Sequence, residues 1–161
     1  MLSTSPWKDS IGIGHPTEVG TTVGFGGPMM LVNTSHSDAT IDDVSLQHMD
    51  DGLTLVGWVL YDVVDNSIPY LEPFPPAGAR DASARVVHPS VTRKNAAGAL
   101  LGDVELVVGI KINSPGAWSA NGVRVSYTDG DGHHTMMFPL KLVICAPGSD
   151  YPDGCSTDMT T

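Results

Sequence analysis

From Glu18 onward, apolar and polar residues alternate over short stretches separated by Gly, Pro and Asp, a period of two that predicts strands rather than helices. Residues 18–33 offer extended pieces broken at Gly26-Gly27-Pro28, which predicts a bulged or two-part strand. Residues 39–48 carry Ile41, then Val44 and Leu46, so the apolar phase slips near Asp42-Asp43, and a bulge there brings both sets inward. Asp50-Asp51-Gly52 reads as a turn. In residues 53–63, Leu55, Val59 and Tyr61 lie on one side and Val56, Trp58 and Leu60 on the other, which predicts a strand that is central or covered on both faces.

Residues 64–82 hold Pro69, Pro73, Pro75 and Pro76 among Asp and Gly, a composition that predicts a long connection over one end of the sheets. Residues 83–88 read as a short strand and residues 95–101 as a brief helical turn. Leu106, Val108, Ile110 and Ile112 alternate with Glu105, Lys111 and Asn113, which predicts one buried and one wet face. Residues 114–122 read as a loop, followed by Val123, Val125 and Tyr127 alternating with polar neighbours. Asp129-Gly-Asp-Gly is the strongest hairpin signal in the chain, and on the return strand Met136, Phe138, Leu140, Leu142 and Ile144 point one way. Pro139 cannot donate to a ladder, so an edge position or a bulge is expected there. About seven strands without a long helix predict an all-β, two-sheet antiparallel β-sandwich over 19–146, with an extended arm at 1–18 and a tail at 147–161.

The 161 residues suffice for one sizeable core, and 41% apolar with 16% charged residues excludes a disordered chain. Eighteen acidic against eight basic residues give a formal charge of −10, which repels phosphate backbones and argues against nucleic acid as a partner. No apolar run approaches the ~20 residues of a membrane-spanning helix. The opening Met1-Leu-Ser-Thr-Ser-Pro-Trp-Lys has neither the basic nor the apolar stretch of an export signal, so the expectation is that the chain as given carries none, a cleaved or trimmed signal being the alternative. Cys145 and Cys155 bracket a Pro/Gly/Asp loop, where oxidation outside the cytoplasm would join them in a disulfide. Two unrelated thiols are the alternative.

Glu18-Val-Gly-Thr-Thr-Val-Gly-Phe, Leu31-Val-Asn-Thr, Ala39-Thr-Ile-Asp-Asp-Val-Ser-Leu and Asp51-Gly-Leu-Thr-Leu-Val-Gly together resemble the opening strands of bacterial extracytoplasmic immunoglobulin-like modules. Gly122-Val-Arg-Val-Ser-Tyr, followed by the hairpin and Pro139-Leu-Lys-Leu-Val-Ile-Cys, is similar to the last hairpin of uncharacterised actinobacterial exported proteins. The resemblance implies an immunoglobulin-like fold and an exported, extracytoplasmic habit, and it carries over no catalytic residue. The antibody-type Cys…Trp…Cys signature is missing.

Gly-x-Ser-x-Gly, His-Glu-x-x-His, phosphate-loop and Cys-x-x-Cys motifs do not occur. Asp129-Gly-Asp-Gly-His-His concentrates potential ligands, but the calcium-loop position that requires a bidentate Glu is Leu140. Met29-Met30, His36, His48-Met49, His133-His134 and Met136-Met137 mix thioethers with imidazoles, ligands that suit copper; the plain alternative is core filling and wet strand edges. Trp118, in its Pro/Gly/Asn-rich segment, together with Tyr70 and Phe74 of the long connection, are the candidate binding residues, although a tryptophan there also suits the cap of a sandwich. The expectation is a non-enzymatic, exported interaction or adhesion module without cofactor or metal, binding a protein or cell-surface polymer through loops at one end. The alternatives are a copper-binding periplasmic-type protein, or a subunit of a surface assembly whose arm adds a strand to a neighbour.

Overall fold

The period-two pattern closes into two stacked sheets, seen in a computed structural model that describes residues 1–4, 11–27, 29–63, 72–90, 93–94 and 100–146. The strands are β1 (Leu2–Thr4), β2 (Ile11–Pro16), β3 (Thr22–Phe25), β4 (Met30–Asn33), β5 (Ala39–Leu46), β6 (Leu53–Asp62), β7 (Glu72–Pro73), β8 (Val86–Val87), β9 (Arg93–Lys94), β10 (Leu100–Leu101), β11 (Val104–Ile112), β12 (Gly116–Asp129) and β13 (Gly132–Ala146). Among the described residues there is no helix, and so none long and apolar enough to cross a membrane.

In the first sheet β11 is central, with β6 on one side and β3 and β4 end to end on the other. β3 and β4 are thus the two halves of the expected broken strand, and β7 and β1 line their outer edge. The second sheet runs β2-β13-β12-β5-β8. Among the described residues every pairing is antiparallel except that of β2 with β13. If β1 with β2 counts as the first position and β3 with β4 as the second, one sheet reads first-second-fifth-fourth and the other third-sixth-seventh. That is the strand order of an immunoglobulin-like sandwich.

The core lies between the sheets, where Leu31, Ile41, Leu60, Leu106, Ile110, Ile112 and Ile144 are fully buried. Burying each such side chain contributes about 1.5–3 kcal/mol. In the second sheet Phe138, Leu140, Leu142 and Ile144 join this core and Met136 packs against it, as their alternation predicts. A register shift between Ser126 and Tyr127 skips Asp42, the expected bulge, so that Ile41 and Val44 both point inward.

Other expectations need correction. Val56 is the extra residue of a bulge opposite Gly109/Ile110, so Leu53, Leu55, Trp58 and Leu60 share the inner face and Val56 is left 46% exposed. β11 does not have one wet face: Glu105 and Val107, on its outer side, are buried too. Glu105 and Val107 lie against Gly26, just past β3, and farther along β11 the cover comes from the long segment between β6 and β11. Phe74 lies against Gly109 so closely that no Cβ fits there. Farther on, the Arg80 amide bonds Leu60 O at 2.8 Å, the Ile41 amide bonds Arg85 O at 2.9 Å, and Arg85 stacks over Trp58 at 4.6 Å from its ring centre. This segment therefore ties the edge of one sheet to the edge of the other.

Leu2–Thr4 and Ile11–Pro16, inside the expected arm, are strands of the sandwich itself. Leu100–Leu101, expected at the end of a helical turn, pairs instead with Arg93–Lys94, while residues 95–99 lie outside the described set. Residues 116–121, expected in a loop, begin the long strand β12.

Candidate binding groove on the second sheet

The outer face of the second sheet carries a hollow of about 500 Å³ lined by residues that include Gln47, His48, Asn121, Arg124, Met137 and Lys141. Its origin is a bulge. The β12–β13 register shifts between Asn121 and Val123, where Gly122 adopts φ +91° and Pro139 stands opposite. Proline has no amide to offer the ladder, so the shift is placed where it costs no hydrogen bond. A side chain on Gly122 would be strained by that φ and would press on Met137 Sδ, 3.2 Å from a Cβ. The end of β5 closes the other side, with the Gln47 amide on Gly122 O at 2.9 Å and the Asn121 amide on Gln47 O at 2.8 Å.

Three features mark this hollow. His48 sits at φ +46°, in the left-handed region that a non-glycine residue rarely occupies. Met137 is 42% exposed on the apolar floor, beside Pro139 and above Leu140. Arg124 and Lys141 are exposed and, among the described residues, form no ion pair.

The residues singled out in the sequence lie elsewhere. Trp118 belongs to β12 and packs against the core, its ring so close to Gly52 and Gly116 that neither could carry a normal Cβ. Its indole N–H donates to Ser114 O at 2.9 Å, and next to it Asp50 Oδ2 accepts the Ser119 amide at 2.6 Å. Trp118 closes an end of the sandwich from within. Phe74 covers the outer face of the first sheet, so the two aromatics are on opposite sides of that sheet. Tyr70 and Cys155 lie outside the described residues, whereas Cys145 is buried near the end of β13.

The ionisable groups with displaced pKa are dispersed. Burial raises Glu105 to about 7, against one hydrogen bond from the Gly27 amide to its Oε1. Among the described residues its Oε2 has no hydrogen-bond partner, and Gly26 leaves the room into which the carboxyl fits. Asp129, at the β12–β13 turn, is lowered to about 2, foremost by the Asp131 amide and further by His134. His134 Nε2 lies 2.8 Å from Asp129 Oδ1 and its ring stacks on Tyr127, whose hydroxyl accepts the Leu2 amide. His133 and His88 face Asp42 and Asp38 at 3.3 and 2.8 Å. Among the described residues no three of His, Cys, Asp and Glu converge as metal ligands. Of the thioethers considered for copper, Met29 and Met30 are buried and Met136 packs on the core.

Nothing in the sequence singled out the groove, because Arg124 and Lys141 read there as the wet alternates of ordinary strands. The one available signal was Pro139 facing Asn121-Gly122 across the hairpin. No protein-family model and no curated protein matches this chain.

Proposed function

We propose that this chain is a non-catalytic interaction module that holds a partner through the groove on the open face of its second sheet, rather than through an end loop. One observation carries the reading: the hollow at Gly122/Pro139 gathers unpaired cations, an exposed Met137 and a strained His48 in one place. Trp118 and Phe74, by contrast, are spent on the molecule's own glycines. The dispersal of Glu105 and Asp129, on different sheets, supports a binding role over acid–base chemistry, which needs such groups within reach of one another. An exported habit goes with this reading, with Cys145 bonded to Cys155. Intact-mass measurement of the unreduced chain from its native source tests that pairing, and two free thiols would refute it.

The groove is tested by a photo-crosslinking residue placed at Met137 or, separately, at exposed Val56, in the protein returned to the cells that make it. The expected result is a specific adduct from position 137 that disappears with Arg124→Glu and Lys141→Glu. Adducts from position 56 alone, or adducts indifferent to both charge reversals, would overturn the reading.

A further inference from the structure

We infer that the occupant of this groove is an acidic, extended peptide segment of a partner protein, with carboxylates flanked by aliphatic side chains. The inference rests on the groove being the binding site.

Charge complementarity comes first. Of the eight basic residues in a chain of net charge −10, Arg80 bonds Asp62 and Arg85 covers Trp58, while Arg124 and Lys141 converge unpaired on one hollow. An arginine fork receives a carboxylate by two parallel N–H···O bonds, and the lysine ammonium adds a second, more tolerant anchor. Asn121 and Gln47 supply neutral amides between them. The acidic remainder of the chain does not cancel this attraction, because at physiological salt charges more than about 8 Å away are largely screened.

The floor decides between anions. Met137 and Pro139 present apolar surface beside the cations, and a bare phosphate or a uniformly charged polymer would leave it without a partner. A peptide alternating carboxylate and aliphatic residues satisfies both. An extended strand rises about 3.3 Å per residue, so side chains two apart project on one side and can address the cations and the floor in turn.

The test uses the full chain and four probes: an alternating Glu/Leu hexapeptide, its Gln/Leu counterpart, poly-L-glutamate and inorganic polyphosphate, each followed by amide-resolved NMR titration. The Glu/Leu peptide should shift the amides of His48, Asn121, Arg124 and Lys141 and bind roughly tenfold more tightly than the other three, the difference of one charge-assisted hydrogen bond. Arg124→Glu and Lys141→Glu, both at exposed positions, should each weaken it by a similar factor. Equal binding of the Gln/Leu peptide, tighter binding of polyphosphate, or shifts elsewhere on the molecule would each overturn the inference. If the Glu/Leu peptide fails while crosslinking from position 137 persists, the acidic-peptide assignment falls alone; if both fail, the groove falls with it.

Discussion

Glu105 is the most consequential single residue outside the groove. Its carboxyl is buried with one oxygen on the Gly27 amide and, among the described residues, the other unpartnered, facing the row that includes Met30 of β4 and Tyr61 of β6. Tyr61 is the titratable group directly across from it. The folded protein binds this proton more tightly than the unfolded chain, whose value is 4.5 against about 7. Stability from this group is therefore complete below pH 4.5 and falls as the pH rises to about 7, by up to about 3 kcal/mol. Glu105→Gln should remove that slope; urea unfolding of both proteins at intervals between pH 4.5 and 8 measures it, and parallel pH profiles would refute it. Trp118 offers a contrast. Trp118→Ala should cost about 3 kcal/mol in the same assay, the low end for a tryptophan because the ring is half-buried, since it opens a cavity against Gly52 and Gly116, and leave binding at the groove unchanged. The role of Glu105 was not readable in the sequence, where it stood as the wet alternate of a strand; for Trp118 the capping alternative, not the binding one, matches its packing on Gly52 and Gly116.

At the scale of elements, legibility depended on whether a bulge left a trace in the alternation. Asp42 did, because Ile41 falls out of phase with Val44 and Leu46 while the residues between and beside them are polar. Val56 did not: both phases of residues 53–60 are apolar, so a skipped residue changes nothing that can be read. β12 was misread from the opposite cause. Gly116 and Asn121-Gly122 look like loop residues, yet the strand runs through them because Gly122 takes up the register shift at φ +91°. Gly122→Ala should consequently cost about 1–2 kcal/mol from backbone strain alone and displace Met137. Thermal unfolding reads the first effect and NMR shifts around the groove the second. An unchanged melting temperature would mean that the bulge tolerates a side chain.

On the scale of the whole molecule, the alternation of β5, β11 and β13 was enough for the sandwich, while its asymmetry was not visible. The segment between β6 and β11 interrupts the pattern with Pro and Gly and reads as loose, but in the fold it roofs the first sheet through Phe74 and joins both sheets through Arg80 and Arg85. Among the described residues one sheet is thereby covered and the other is not, and the candidate groove is on the second. Burial of a sheet face by a remote segment is a tertiary outcome that local periodicity does not encode.

The parallel pairing of β2 with β13 has a mechanical consequence. Ile11 through Pro16 run alongside Leu140 through Cys145 in the same direction, so traction applied at the two ends of the chain drags these neighbours past one another. The bonds between them are evenly spaced and share such a load, rather than opening one at a time like a zipper. A module built this way should withstand stretching between its ends far better than peeling of the β12–β13 hairpin, a difference that single-molecule pulling from the two attachment geometries would reveal.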